Sequence, residues 1–253
     1  MLYDDPELYD EILPVSAEHV TYYERLAARH PGGVLELACG SGQLLVPLAH
    51  TVPEVYGLDS SPGMLAAAEA RARTEGVTVT LAEGDMRDFD LGRRFSLIFI
   101  ARHSLLHLLT EDDYRRFFRS VARHLRPGGV LAFDIFNPDP AELVRGAGER
   151  TPFTCVDSPV FGDLIVEATD EYDPVTQVDR ATWYVSTPDR ADAWVLPVDL
   201  RMILPAELTH LLTANGFHLL RRDGNLTGTP WTPTSPRQSC ICTPTPPNAY
   251  RQP

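Results

Sequence analysis

The sequence predicts an α/β chain of the Rossmann-like, doubly wound kind: a seven-stranded sheet of five parallel strands plus a terminal antiparallel pair, with an inserted antiparallel β layer. Short β-rich apolar runs alternate with helical patterns from Gly33 to Phe136, the order expected of a parallel sheet crossed by helices. Within that stretch Leu97, Ile98, Phe99 and Ile100 form an unbroken apolar run, as a strand covered on both faces requires. After Asn137-Pro138 the rhythm changes to antiparallel-looking segments, the last of which (194–203) alternates strictly, as a strand with one buried face does.

Taken in order, VLELA (34–38) reads as a strand, 42–50 as a helix, VYGLD (55–59) as a strand, 62–75 as a helix and VTVTLAEGD (77–85) as a strand. FSLIFIA (95–101), a helix over 111–125 and VLAFDIF (130–136) complete five parallel strands. Ser61-Pro62 supplies a cap and a first-turn proline, Thr110 precedes an acidic first turn, and RPGG (126–129) stops the helix before the fifth strand. Beyond Pro138 come LIVEATDEYD (164–173), VTQVDRATWYVS (175–186) and WVLPVDLRMI (194–203), in the last of which Trp194, Leu196, Val198, Leu200 and Met202 share one face. A helix at 205–214, stopped by Gly216, leads to FHLLRR (217–222) and SCICT (239–243) as the terminal pair. The organisation expected is an N-terminal helical cap (1–30), a ligand-binding core (31–138), an antiparallel β insertion over the substrate side (139–203), the end of the core (204–244) and a proline-rich flexible tail (245–253).

Composition narrows the functional classes. With a formal charge of −13, a nucleic-acid partner would be bound against an unfavourable field, so none is expected. All 22 basic residues are Arg, which rules out lysine Schiff-base chemistry. Four scattered cysteines with no CxxC pair give neither a disulfide scaffold nor a zinc site, and no metal is expected. The opening MLYDDPELYDEILP lacks the basic and apolar blocks of a secretion signal, and no later run is long enough to span a bilayer. A cytoplasmic protein, monomeric or homodimeric and without a membrane partner, is the expectation.

The most informative segment is VLELACGSGQLLVPLA (34–49), in which a strand ends in a glycine loop that opens a helix. Gly40 and Gly42 permit backbone conformations and a close ligand approach that a Cβ would obstruct, while the helix start offers free N–H donors. Alone, the GxG also suits an ordinary strand-to-helix turn, and the missing third glycine departs from the GxGxxG of nicotinamide and flavin enzymes. Asp59, nineteen residues after Gly40 at the end of the second strand, is placed to accept from both hydroxyls of a ribose. Asp85, ending the third strand, is placed to accept an adenine amine. Carboxylates at successive carboxyl ends of a parallel sheet mark a nucleoside ligand.

In ELACGSG (36–42), GLDSSPGML (57–65), AEGDM (82–86), FSLIFIARHSLLHL (95–108) and LRPGGVLAFDIFNP (125–138) the chain resembles the class I S-adenosylmethionine-dependent methyltransferases, with the motifs in order over roughly residues 9–138. The resemblance implies S-adenosylmethionine as cofactor, S-adenosylhomocysteine as product and a small-molecule acceptor methylated on N or O. It implies that the loop around Ala38, Gly40 and Gly42 faces the methionine part, that Asp59 serves the ribose, and that Met64 and Met86 flank the adenine whose amine bonds Asp85, with Ser60 and Ala101 among the cofactor-binding residues. Glu36 would steady the loop and the cofactor's amino group. His103 stands where similar sequences often carry Asn.

Methyl transfer from a sulfonium needs collinear positioning and exclusion of water rather than a metal or a nucleophile. Tyr9, Tyr22 and Tyr23 offer aromatic faces to a sulfonium, or equally pack an N-terminal helix. His103, at the end of the fourth strand, is the candidate general base, while His107 and Asn137 are candidate substrate contacts for which local capping and turn chemistry are competing readings. Residues 139–200 carry 13 acidic and 4 basic side chains, which suits a cationic or amine acceptor and also plain solubility. Two other classes share these features in part: a noncatalytic nucleoside-binding or regulatory protein, and a nicotinamide-dependent oxidoreductase.

Overall fold

The computed structural model describes residues 2–139, 143 and 148–246. Residues 247–253 of the expected tail, and 140–142 and 144–147 of the insertion, lie outside the described residues.

A 3-10 turn (Leu2–Asp4) and two helices, α1 (Pro6–Ile12) and α2 (Ala17–Arg29), precede the first strand. Then follow β1 (Val34–Leu37), α3 (Leu45–Leu48), β2 (Val55–Asp59), α4 (Pro62–Glu75), β3 (Thr80–Glu83), β4 (Phe95–Ile100), α5 (Glu111–His124) and β5 (Leu125–Phe136). The remaining elements are β6 (Thr151–Ser158), β7 (Gly162–Thr169), β8 (Tyr172–Asp173), β9 (Val178–Thr187), β10 (Arg190–Arg201), α6 (Pro205–Ala214), β11 (Phe217–Asp223) and β12 (Arg237–Pro244).

The main sheet has seven strands in the order β11-β12-β5-β4-β1-β2-β3. β1 to β5 are parallel, and β12 runs antiparallel to both β5 and β11, which is the expected terminal pair. Side-chain alternation divides the core. Leu35, Leu37, Ile98, Ile100, Leu131 and Phe133 face α5 and α6, whereas Leu97, Phe99, Val130 and Ala132 face α2. Each such buried side chain contributes about 1.5–3 kcal/mol of burial free energy.

Local chemistry sets the helix ends. Ser61 caps α4 ahead of Pro62, and Gly76 closes it in the left-handed conformation. Thr110 and Asp113 form a reciprocal capping box at α5. The helix expected over 42–50 is shorter, because Pro47 lacks the N–H that would bond back to residue 43 and its ring crowds that carbonyl. The third strand is shorter than 77–85 as well: Val77 still bonds the end of α4, and Gly84 donates to Asp59 O. β5 begins five residues earlier than expected, with Leu125 already paired to Phe95.

A second, antiparallel sheet has the order β10-β9-β7-β6, with β8 beside β9. β6 is a strand for which the sequence supplied no separate segment. The apolar face of this sheet, Leu164, Val166, Val185, Leu196 and Val198, closes on Leu2, Leu8 and Ile12 of the N-terminal turn and α1. Its far end is tied to the main body by Arg201, which ion-pairs with Glu111 at 2.6 Å and Glu207 at 2.7 Å. Among the described residues no helix is long and apolar enough to cross a membrane, and no metal-binding group of side chains occurs.

Candidate active site

β1 delivers the chain to a loop whose shape is fixed by left-handed residues: Ala38 at φ 54°, Gly40 at φ 54° and Gly42 at φ 78°. The two glycines serve different needs. A Cβ on Gly42 would lie 3.0 Å from Ala68 Cβ, so Gly42 lets the loop seat against α4. A Cβ on Gly40 would meet nothing closer than Met64 Sδ at 4.0 Å, so the space above Gly40 is open. Cys39 is packing: its thiol sits where a Cβ on Gly57 would come within 2.7 Å, and burial pushes its ionisation far up, with Glu36 and Asp59 adding to the effect.

Asp59 ends β2 and holds this loop from beneath. Its Oδ2 accepts from Gly40 N–H at 2.8 Å and its Oδ1 from Ser61 N–H at 2.9 Å, so one carboxylate links the glycine loop to the start of α4. Asp10 of α1 grips the loop from above, accepting from Ser41 Oγ, from Gln43 Nε2 at 2.7 Å and from Arg71. Gln43 in turn accepts from Val15 N–H at 2.6 Å. Between these layers lies a cleft lined by Tyr9, Glu36, Ala38, Gly40, Ala101 and Arg102 that encloses about 20 Å³, the space of roughly one water.

Glu36 enters the cleft from β1, where a carboxylate is an anomaly in an otherwise apolar strand. It is 3% exposed, neither oxygen has a hydrogen-bond partner among the described residues, and Oε2 is wholly buried. Burial pushes its pKa well up, against the pull of Arg102. Such an unsatisfied group is costly to keep and marks a binding function.

Asp85 lies at the third strand's end, where Arg87 clamps it through Nε and Nη2 and also reaches Asp113 at 2.9 Å. The clamp holds its carboxyl below the usual range. Met64 is buried below Gly40, Met86 is half-buried against the core, and Ser60 is exposed.

At the end of β4, Arg102 and His103 are both left-handed, at φ 53° and 68°, conformations that cost non-glycine residues roughly 1–2 kcal/mol each. Asp134 imposes them: its Oδ1 accepts from Arg102 N–H at 3.2 Å, and its backbone carbonyl accepts from His103 N–H at 3.1 Å. Asp134 is fully buried and also receives Tyr23 Oη at 2.7 Å and Arg237 at 3.0 Å, with His19 at 3.6 Å. Burial alone would raise its pKa, but His19 first and Tyr23 after it hold it down to about 2.

The His103 ring meets Phe136 edge-on at 5.0 Å, with Nδ1 buried and without a partner among the described residues. Burial lowers its pKa to about 4, so the imidazole is neutral at ordinary pH. His107 Nε2 shares a 2.6 Å hydrogen bond with Tyr3 Oη, and burial lowers its pKa too. Asn137 spends its amide on the carbonyls of Pro233 and Ser235, both at 3.0 Å, anchoring the loop before β12. Tyr22 stands apart from the cleft, edge-on to Tyr23 in the core between α2 and the sheet.

The structure thus gathers Tyr9, Glu36, Ala38, Gly40, Asp59 and Ala101 around one loop, sets Asp85 and Met86 beyond β3, and leaves Tyr22 and Asn137 in structural contacts. Asp10, Arg102 and Asp134 were passed over in the sequence. A signal existed for Asp134, an acid inside the apolar run VLAFDIF. A larger open groove of about 760 Å³ lies at the amino ends of β1 and β2, lined by Arg25, Pro31 and Pro53 among others. It holds no buried unpartnered polar group and sits on the edge opposite the one where ligands of such sheets bind.

The sequence pattern of a methyltransferase domain matches residues 34–129. Over 138 residues the chain is 33% identical to the dTDP-4-amino-2,3,4,6-tetradeoxy-D-glucose N,N-dimethyltransferase of Saccharopolyspora spinosa, covering 52% of this chain and 54% of that protein. Over 249 residues it is 26% identical to the cypemycin N-terminal methyltransferase of a Streptomyces species, covering 91% and 95%. The chain spans about half the length of most of the curated relatives it matches. Among solved structures, the CcbJ methyltransferase of Streptomyces caelestis superposes with a TM-score of 0.78 at 25% identity, covering 91% of this chain and 97% of that one. The motif order, the sheet topology and these similarities agree: residues 34–129 match a methyltransferase domain, and the fold is the one shared by S-adenosylmethionine-dependent methyltransferases.

Proposed function

We propose that this chain transfers a methyl group from S-adenosylmethionine to an amine nitrogen of a small molecule. The observation that carries the reading is a set of two carboxylates at the glycine loop: Asp59 bound to Gly40 and Ser61 N–H, and Glu36 buried in the cleft with no partner among the described residues. In this reading Asp59 keeps outward lone pairs for the ribose hydroxyls. Met64, Met86 and Asp85 receive the adenine, and Ala38, Gly40, Gly42 and Ala101 line the amino-acid end.

The bound cofactor would supply a methyl on a positively charged sulfur, so the acceptor needs only a free lone pair and correct alignment. The protein's share is to hold the acceptor, exclude water and accommodate a proton. Water exclusion falls to α1 and the second sheet, which close as one apolar unit over the loop. His103, neutral and packed against Phe136 with Nδ1 buried, is suited to shape the wall of the acceptor side rather than to store the acceptor's proton. An amine is favoured by the acceptors named in two relatives, an amino sugar and a peptide N-terminus, and by the 13-to-4 acidic excess over residues 139–200.

Calorimetry with S-adenosylmethionine, S-adenosylhomocysteine, NAD and NADP tests the donor, and tight NAD binding would overturn it. Incubation with S-adenosylmethionine and a panel of amino sugars, free N-terminal peptides and phenols, read by mass spectrometry, tests the acceptor. Methylation of phenols alone would remove the amine. Intact cofactor binding with no product from any acceptor class would point to a noncatalytic binder.

A further inference from the structure

The second sheet holds a carboxylate that its surroundings leave unsatisfied. Asp179 of β9 is 8% exposed, and its Oδ1 is wholly buried without a hydrogen-bond partner among the described residues. Register fixes its neighbours. Tyr172 pairs with Asp179, and Glu171 and Arg180 exchange backbone bonds at 3.2 and 3.0 Å, so Asp170 stands opposite Ala181 and diagonal to Asp179. Trp183, which pairs with Ala168, is the other diagonal neighbour of Asp170. By strand alternation all three lie on the face that Leu164, Val166 and Val185 share, the one that closes on α1. Leu200, opposite Asp179, follows Asp199, whose backbone bonds His107, so the patch adjoins the turn after β4. Arg180, the cation nearest in sequence, alternates to the other face, opposite Asp199. Burial first, and the Asp170 charge after it, push the Asp179 pKa up to about 6, with Asp199 adding to the effect and the Glu171 N–H opposing it. Burial raises Asp170 as well. Two carboxylates beside an indole, with no counter-ion among the described residues, suit an ammonium or a guanidinium.

We propose that Asp170 and Asp179, walled by Trp183, hold a cationic group of the acceptor that is separate from the nitrogen receiving the methyl. A nitrogen held by carboxylates as an ammonium has no free lone pair, so the group bound here is not the one methylated. The acceptor therefore carries an ammonium or guanidinium in addition to its reacting amine. The proposal rests on the methyl-transfer reading and deepens it by naming the class of acceptor.

Argininamide and citrullinamide are the probes, alike in length and α-amine but ending in a guanidinium and a neutral urea. In calorimetry at neutral pH, with S-adenosylhomocysteine present, the wild type should bind argininamide at least about 10-fold more tightly than citrullinamide, as a charge-assisted contact implies. Asp179→Asn should bring that preference below about 2-fold while changing citrullinamide and S-adenosylhomocysteine by less than about 2-fold, and Asp170→Asn should reduce it. In the wild type the preference should also shrink as pH falls through about 6, where Asp179 takes up a proton. Equal affinity for the two probes, or no binding of argininamide, refutes the site. An Asp179→Asn protein that keeps the preference refutes it, and one that loses both probes alike makes Asp179 a structural residue and refutes it too. Should Asp179→Asn not fold, a wild-type preference that persists undiminished well below pH 6 refutes it. Failure of S-adenosylhomocysteine to bind, measured separately, would instead sink the S-adenosylmethionine reading itself.

Discussion

Tyr23 Oη donates to Asp134 Oδ1 at 2.7 Å with both groups fully buried, so the helix before the first strand is bonded to the end of the fifth. The same carboxylate sets the backbone of Arg102, which makes it a structural hub beneath the cleft. Asp134→Asn removes the charge that Arg237 and His19 face and should cost about 3 kcal/mol. Tyr23→Phe should cost about 1.5–3 kcal/mol. Because the folded pKa of Asp134 is depressed to about 2, its ionisation contributes stability on the order of 2 kcal/mol that is complete above an unfolded carboxyl's value near 4 and is lost as pH falls through 2. Urea denaturation at several pH values checks all three, and an Asp134→Asn protein as stable as wild type would remove the hub.

Glu36 should behave oppositely. Its folded pKa is raised by burial, so its stabilising protonated form is complete below the unfolded value near 4 and is lost as pH climbs through the folded one. Glu36→Gln should therefore raise the melting temperature of the ligand-free protein at neutral pH while weakening S-adenosylhomocysteine. A lower melting temperature would mean that the carboxylate is structurally satisfied.

Asp59→Ala frees the Gly40 and Ser61 N–H groups and, in the proposed reading, removes an acceptor from the ribose. The expected loss of S-adenosylhomocysteine binding is roughly 1.5–3 kcal/mol, read by calorimetry. An unchanged dissociation constant would take Asp59 out of the site.

For His103, a pKa pushed down to about 4 means that its ionisation contributes no limb to a rate profile between pH 5 and 9. His103→Asn should leave the shape of that profile intact and lower turnover of an amine acceptor by less than the roughly 10²-fold at which general-base catalysis begins. A larger loss, accompanied by a vanished limb, would restore the general-base role that the sequence suggests.

Asp10→Ala severs α1 from Ser41, Gln43 and Arg71 together. With that grip gone, S-adenosylhomocysteine should dissociate roughly 10-fold faster, as for loss of about 1.4 kcal/mol of contacts, measured by stopped-flow displacement. Since α1 is also seated on the second sheet, deletion of residues 151–203 should impair cofactor binding as well as turnover. A deletion that spares the cofactor would separate the two units.

Much of the sheet was legible because the parallel strands other than β3 are short apolar runs, and Asp59 stands nineteen residues after Gly40. What sequence could not give is which side a strand-end residue faces. His103 and Arg102 are adjacent, yet left-handed backbone at both puts the guanidinium at the cleft and the imidazole against Phe136. Nor does spacing reveal that Tyr22 faces the core while Tyr9 lines the cleft, since that depends on how two short helices dock. Arg87 likewise reaches back to Asp85 through a turn that no periodicity announces.

The docking of α1 also bears on how the molecule assembles. A seven-residue helix has no independent stability, and apart from the adjoining Leu2–Asp4 turn the partners of α1 named above come later in the chain: Ser41, Arg71, then Val166 and Val198. Residues 6–12 leave the ribosome before all of them and must wait, unstructured, until the second sheet exists. Contacts across more than 150 residues are slow to close, so a segment made before these partners settles last. In a refolding experiment the sheet signal should therefore recover before the capacity to retain S-adenosylhomocysteine does, with α1 as the keystone whose arrival ends assembly.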